Sequence, residues 1–134
     1  MKASRDVGSG RPLLDKLGVK PGMRVALVAF DDPAFEAELA ARGAHVAELE
    51  QGLDMVFYRV DQPADLHRLA ELRTMIHHGG AIWVLRVKGP GLTVKNVDVI
   101  AAGRAFDLID NKIASFSATL AAMRLVVPLD QRWN

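Results

Sequence analysis

Three almost continuously apolar runs limit what this chain can fold into. They extend from Val25 to Phe30, from Met55 to Val60 and from Ala81 to Val87. Such runs are typical of strands that are covered on both faces in a parallel sheet, because a half-exposed strand alternates apolar and polar residues. We therefore predict three buried strands and expect the first of them to lie at the centre of the sheet.

Helix start and stop signals separate these runs. A short helix before the first run is predicted to end at Gly18, and the next helix extends from a capping Asp32 to Gly43. Pro33, directly after the cap, is favoured in a first helical turn. A shorter second strand is expected from Ala44 to Leu49.

A second Asp-x-Pro sequence follows the run that ends at Val60. Residues 61–64 (Asp-Gln-Pro-Ala) repeat the chemistry of residues 31–34 (Asp-Asp-Pro-Ala). Helix capping alone explains both sequences. The alternative is that the second sequence repeats a functional role of the first. The helix that follows is predicted to continue until Gly79 and Gly80. Its predicted inward stripe consists of Leu66, Leu69, Leu72 and Ile76.

A further helix and a hairpin complete the chain. The helix is expected to begin near Asn96 as its cap. Strands are predicted from Ile113 to Phe116 and from Met123 to Val127, joined by a turn of small residues. The predicted inward residues of the helix are Val97, Ile100 and Ala101.

Strands and helices therefore alternate along the chain. This order predicts an α/β three-layer sandwich with a Rossmann-like, mostly parallel sheet and a C-terminal antiparallel β-hairpin. At 134 residues, of which 50% are hydrophobic, the chain can bury one substantial core. We expect a single domain over residues 12–134, preceded by a mobile arm over residues 1–11.

The composition excludes several function classes. The 17 basic residues nearly balance the 16 acidic ones, so no global field favours nucleic acid or an anionic membrane as a partner. The absence of cysteine excludes disulfides, thiolate zinc sites and a cysteine nucleophile. No apolar run approaches the ~20 residues that a membrane-spanning helix needs. These features predict a cytoplasmic protein that contacts neither nucleic acid nor membrane.

The order of elements, with the lead-in from Leu17 to Val25, resembles that of the class I methyltransferases that use S-adenosylmethionine. The resemblance extends from about Leu13 to Val127, although the family's additional strand and helix before Met55 are absent or minimal here. The stretches LGVKPG, GGAIWVL and RLVVP also resemble a group of small bacterial proteins of unknown function. The resemblance implies a methyltransferase-like fold.

The cofactor loop departs from the family pattern. The resemblance implies an acidic residue in the first strand and a G-x-G-x-G loop after it, where the backbone approaches the cofactor closely. The ribose-binding carboxylate of the family corresponds to Glu48 or Glu50. The acidic position and the three glycine positions correspond to Leu27, Ala29, Asp31 and Pro33. We therefore expect no cofactor, with S-adenosylmethionine as the alternative.

The family's acceptor-binding motif is also incomplete. Members that methylate amino groups carry Asp/Asn-Pro-Pro-aromatic after the strand that corresponds to the one ending at Val60. Residues 61–64 match only the first and third positions of that motif and lack the aromatic residue. The sequence therefore assigns no catalytic residue.

The strand ends supply the candidate binding residues. Ligands of open α/β sheets bind outside the carboxyl ends of the strands, so polar residues that follow the strands should gather at one rim. Such a rim suits a cation, a basic ligand or an acid/base group, and helix caps and solvated side chains are the alternative. The candidate rim residues are Asp31, Asp32, Glu50, Arg59, Asp61 and Lys88.

A second cluster lies on one predicted helix face. His67, Glu71, Thr74 and His78 recur at helical spacing, and a pair four residues apart can bind a metal. That face lies opposite the leucine stripe, which favours a solvated surface. No metal site is assigned.

Three functional hypotheses follow. The first is a non-catalytic binding or interaction module for a small ligand or a protein partner. The second is a minimal methyltransferase with an altered cofactor loop. The third is a subunit of a homo-oligomer or other assembly, in which the strands from Ile113 to Val127 form an intermolecular sheet edge. Trp133 is expected to dock on the body of the protein or on another subunit.

Overall fold

The computed structural model describes residues 12–131, which form one mixed sheet covered by helices. The predictions for the arm over residues 1–11 and for Trp133 lie outside the described residues. The strands are β1 (Arg24–Val28), β2 (His45–Val46), β3 (Leu53–Arg59), β4 (Ile76–Val87), β5 (Ile109–Ser115) and β6 (Leu120–Val126).

The sheet has the order β2-β1-β3-β4-β6-β5. The first four strands in this order are mutually parallel, whereas β6 is antiparallel to both of its neighbours. The predicted α/β fold, with a mostly parallel sheet and an antiparallel hairpin at its end, is therefore confirmed.

The helices are α1 (Leu13–Leu17), α2 (Pro33–Arg42), α3 (Leu69–Arg73) and α4 (Asn96–Ala105), with short 3-10 helices at Pro63–Arg68, Gly89–Gly91 and Leu129–Gln131. Asp32 caps α2 as predicted, because its Oδ1 accepts the N–H of Phe35 at 3.0 Å. Gly43 ends α2 with a left-handed φ of 93°. Among the helices of residues 12–131, none combines the length and apolar character needed to span a membrane.

One face of the sheet packs against α1 and α2 around four phenylalanines. Phe35 of α2 lies 5.0 Å from Phe57 and 4.9 Å from Phe116, measured between ring centroids. Phe30 completes the cluster at 5.5 Å from Phe116. Trp83 is fully buried on this face, and its Nε1–H donates to the carbonyl of Leu17 at 3.1 Å. Aromatic edge-to-face contacts and this hydrogen bond fix α1 and α2 on the sheet.

The opposite face is covered by the 3-10 helix Pro63–Arg68, α3 and α4. The prediction that Val97 and Ala101 of α4 face inward is wrong, since both are exposed. The helix instead buries Val99 and Gly103. An added Cβ at Gly103 would lie 3.4 Å from the Leu125 side chain of β6, so α4 lies close to the sheet at its smallest residue.

The position predicted for β1 is also wrong. It lies second from one edge, and β3 and β4 form the centre of the sheet. Only one strand, β2, lies beyond it, and that strand has two exposed residues rather than the six predicted from Ala44 to Leu49. Residues 47–52 then lead directly back to the start of β3. No further strand or helix intervenes there, as the sequence indicates.

The predicted helix up to Gly79 and Gly80 ends much earlier. Helix α3 stops at Arg73, and Ile76 begins β4. The apolar stripe is misleading because Ile76, although it belongs to a strand, is buried in the same core as Leu72. As a result His67, Glu71, Thr74 and His78 do not share one helix face. Within residues 12–131 no three His, Asp or Glu side chains are grouped to hold a metal ion.

An irregularity at the start of β4 explains the two glycines. Leu53 pairs with Ile76 and Met55 pairs with Ala81, so a single residue of β3 lies opposite four residues of β4. An added Cβ at Gly80 would lie 3.0 Å from the carbonyl oxygens of Leu53 and Asp54. Glycine is therefore required where the two backbones approach.

Replacement of Gly80 by alanine should destabilise the fold by about 1–3 kcal/mol, because two backbone carbonyls of a central strand must move. Gly79→Ala is the matched control, since its Cβ would meet only the ring of exposed His77 and should cost about 0.5 kcal/mol or less. Urea unfolding of both variants measures the difference. Equal losses of stability would contradict the close packing at Gly80.

Candidate functional site

A polar cleft lies at the carboxyl edge of the sheet, where the parallel strands end. Val28 and Tyr58 pair at the ends of β1 and β3, and beyond them the cleft has a volume of about 520 Å³. We call it the carboxyl-edge cleft. Its lining includes Ala29, Arg59, Asp61, Gln62, Asp65 and Arg68.

Asp65 organises one wall of the cleft. Its Oδ2 accepts the N–H groups of Asp61 at 2.8 Å and Gln62 at 3.1 Å. Its backbone carbonyl accepts the hydroxyl of Tyr58 at 2.5 Å. These bonds hold the start of the 3-10 helix against β3.

Tyr58 remains a hydrogen-bond donor in this wall. Burial raises the pKa of its phenol, and the carboxylates of Asp65 and Glu71 act in the same direction, although Arg68 opposes them. The hydroxyl therefore stays protonated at neutral pH and continues to donate to the Asp65 carbonyl.

Two arginines present their guanidinium groups at the cleft. The Nε of Arg59 contacts Asp61 Oδ1 at 3.0 Å, and the Nε of Arg68 contacts Glu71 Oε1 at 2.9 Å. Their side chains are 32% and 44% exposed, respectively. Among residues 12–131, neither guanidinium has a partner at its two terminal nitrogens.

Ala29 marks the start of the loop that holds the cofactor in the resembling enzymes. Its φ of 55° is left-handed, which favours glycine and which otherwise occurs among the described non-glycine residues only at Asp107. The backbone therefore bends at the position of the family's first glycine. The bend is followed by a helix cap, since Asp32 accepts the N–H of Phe35.

The predicted rim residues have different positions in the structure. Arg59 and Asp61 line the carboxyl-edge cleft. Asp31 and Asp32 follow β1 at the same edge without lining the cleft, Asp31 being exposed. Lys88 follows β4 on the hairpin side, where its Nζ donates to Ser115 Oγ at 2.7 Å.

Glu50 does not reach this edge. Its carboxylate forms an ion pair with Arg24, which is the first residue of β1 and therefore lies at the opposite, amino edge. The prediction assumed that the second strand continues to Leu49 and delivers Glu50 to the rim. Because β2 ends at Val46, residues 47–52 carry Glu50 back toward the start of β1. Glu48 is exposed.

The amino edge carries a polar network that the sequence does not reveal. Asp54 Oδ1 contacts His77 Nε2 at 2.7 Å, and Asp54 Oδ2 accepts the N–H of Arg24 at 2.8 Å. The Nδ1 of His77 accepts the N–H of Gly79 at 3.0 Å. Burial acts to raise the pKa of Asp54, but the bonds from Arg24 and His77 and their charges outweigh it and lower that pKa.

Arg68, Gln62 and Asp65 are cleft residues that sequence reasoning missed. They belong to a segment predicted as an amphipathic helix, in which polar positions carry no directional signal beyond facing away from the core. The only available signal was the spacing of Gln62 and Asp65, because an acidic residue three positions after a capping residue is typical of a helix start. In the structure Asp65 accepts the N–H of Gln62.

Comparison with solved structures identifies the fold. The chain resembles a methyltransferase dependent on S-adenosylmethionine from Aquifex aeolicus, with a TM-score of 0.67 and 13% identity over 86% of this chain and 88% of that one. It resembles a TehB-like methyltransferase dependent on the same compound from Corynebacterium glutamicum, with a TM-score of 0.65 and 11% identity over 87% and 85% of the two chains.

A third structure contains a bound small molecule. It is the magnesium protoporphyrin IX methyltransferase from Synechocystis with S-adenosylhomocysteine, which gives a TM-score of 0.65 and 9% identity over 86% and 78% of the two chains. The chain has a class I methyltransferase-like fold. No model of a protein family matches the sequence, and no curated protein matches it significantly. The chain thus shares this fold with these enzymes at low sequence identity, in agreement with the departures of its loop from the family pattern.

The lowered pKa of Asp54 predicts how stability depends on pH. The ionised carboxylate stabilises the fold above the unfolded-state pKa of about 3.9, and this contribution is lost as the pH falls through the lower folded-state pKa. Asp54→Asn should therefore cost about 1–2 kcal/mol at pH 7 and much less near pH 3. Urea unfolding at both pH values, with exposed Asp31→Asn as the control, measures this. A pH-independent difference between Asp54→Asn and the native chain would contradict the assignment.

Proposed function

We propose that this protein is a non-catalytic binding module with a class I methyltransferase-like fold, which takes a small polar ligand at the carboxyl-edge cleft. The observation that carries the proposal is the internal use of residues in the loop and at the ribose position of the family. Asp32, which lies between the second and third glycine positions, caps α2, and Glu50 is paired with Arg24 at the far edge of the sheet. The Pro33 position, which is a glycine in the family, also lacks the N–H that a loop glycine supplies.

The cleft itself supports a binding role. Its volume of about 520 Å³ lies within the range of about 300–1,000 Å³ that is usual for small-molecule sites. Its lining includes two arginines and a glutamine, whose side chains carry N–H donors. The absence of an aromatic residue from residues 61–64 gives no support to the methyl-acceptor site of the amino-methylating enzymes.

A minimal methyltransferase is the second candidate. The left-handed backbone at Ala29 favours it, because that bend is what a cofactor loop requires. The fold shared with enzymes such as the Synechocystis methyltransferase, which binds S-adenosylhomocysteine, also favours it. Against it stands the placement of Glu50, which leaves exposed Glu48 as the remaining candidate for the ribose contact.

An assembly built on the hairpin receives little support. β5 is an edge strand, and Ile113 on it is 58% exposed. However, the pairing of β5 with β6 shifts between Asp110 and Lys112, and an edge that carries both an irregularity and a lysine is poorly suited to pair with another strand.

We place the module in a bacterial cytoplasm on the lack of cysteine and on the resemblance to small bacterial proteins.

Titration with S-adenosylmethionine and S-adenosylhomocysteine separates the two candidates. A ligand at about a hundred times its Kd stabilises a protein by about 2.7 kcal/mol, which would raise the Tm of a chain of this size by roughly 10 °C. We expect no calorimetric heat and no rise in Tm with either compound. The Synechocystis enzyme serves as the positive control. Saturable micromolar binding by this chain would contradict the proposal and favour the methyltransferase.

A further inference from the structure

We propose that the carboxyl-edge cleft binds a small molecule through an oxyanion, either a phosphate or a carboxylate group, held by Arg59 and Arg68. This inference rests on the proposed function, in that it assumes the cleft to be the binding site. It adds the chemical class of the ligand and the residues that select it.

The available donors point to an oxyanion. A guanidinium carries five N–H donors in a planar fork, and one of them, on Nε, is used by Asp61 in the case of Arg59 and by Glu71 in the case of Arg68. The terminal nitrogens of both groups have no partner among residues 12–131. Two parallel N–H groups match the two oxygens of a carboxylate or phosphate, which is the geometry of the strongest charge-assisted hydrogen bonds.

The two arginines are already oriented. Arg59 is the last residue of β3, and the adjacent turn places Asp61 3.0 Å from its Nε. Arg68 ends the 3-10 helix, where Glu71 contacts its Nε at 2.9 Å. Each ion pair restricts a long side chain before any ligand arrives, which lowers the entropy lost on binding.

The carboxylates in the cleft limit the affinity without abolishing it. Asp65 keeps its charge, but its Oδ2 is occupied by the N–H groups of Asp61 and Gln62. The side chain of Asp61 is 67% exposed and, among residues 12–131, accepts only from Arg59. Asp61 is therefore a built-in competitor for the Arg59 guanidinium, and an incoming oxyanion must share that group with it.

Asp61 gives the inference a distinctive test. Its side chain contributes to no other described bond, whereas its backbone carbonyl accepts the Thr93 hydroxyl at 2.5 Å. Asp61→Asn thus removes the competing charge, keeps the backbone contacts and retains an amide oxygen that can accept from the Arg59 Nε, so Arg59 stays oriented. A structural role for Asp61 predicts weaker ligand binding in this variant, and competition for Arg59 predicts tighter binding.

Calorimetric titration with inorganic phosphate, pyrophosphate and citrate tests the inference on the full chain. We expect saturable binding of at least one of them, weakened about tenfold or more by Arg59→Gln and by Arg68→Gln and tightened severalfold by Asp61→Asn. Arg104→Gln is the matched control, because Arg104 lies outside the cleft with its NH2 nitrogen 3.8 Å from Asp110. Its affinity should equal that of the native chain. Preference for the phosphates or for citrate identifies which oxyanion the cleft selects.

Several outcomes would overturn the inference. No binding of any probe at millimolar concentration would do so, as would equal weakening by Arg104→Gln, which would indicate unspecific charge attraction. Thermal unfolding of each variant confirms that it is folded. If one arginine variant is unstable, the affinity of Asp61→Asn still tests the proposal. If neither the oxyanions nor S-adenosylmethionine bind, the oxyanion site is contradicted and the proposal of a non-catalytic binding module is not. If S-adenosylmethionine binds, the proposed function itself is contradicted.

Discussion

Burial of β3 and β4 on both faces is the constraint on which the rest of the structure depends. Their central residues are almost completely inaccessible, including Phe57 and Trp83 on one face and Val56 and Ile82 on the other. Helices must therefore cover both sides, and parallel strands joined by crossovers end at one common edge. The carboxyl-edge cleft is a consequence of that arrangement, since it opens where β1 and β3 end and the covering helices begin.

The chain has a class I methyltransferase-like fold, and the loop that follows its first strand leads into a capped helix. The backbone bends at Ala29 as a glycine loop does, yet Asp32 is bound into the helix cap. The shortened β2 has a larger effect, because it removes Glu50 from the rim and places its carboxylate beside Arg24. The three loop-glycine positions hold other residues, and the charged side chains that line the cleft are those of Arg59, Arg68, Asp61 and Asp65.

The sequence predicted what depends on local chemistry. Continuous apolar runs, the cap at Asp32 and the stop at Gly43 identified the strands, the main helix and the hairpin, because each acts over a few residues. It failed where a distant contact decides. Gly80 was predicted to end a helix, but it lies in a strand where the backbone of β3 comes too close for a side chain. On α4, Gly103 lies against the sheet and Val97 is exposed. Arg68, which lies in a segment predicted as one continuous helix, instead ends a 3-10 helix and lines the cleft.

Amide chemical shifts in ¹H–¹⁵N spectra of the full chain test most directly which ligand binds at the carboxyl edge of the sheet. Saturating pyrophosphate should shift the amides of Arg59, Gln62 and Arg68, whereas S-adenosylhomocysteine at the same concentration should leave those of Ala29, Asp32 and Glu48 unchanged. Shifts of Ala29, Asp32 and Glu48 with S-adenosylhomocysteine would show that the cofactor loop still binds its ligand, and they would contradict a non-catalytic binding module.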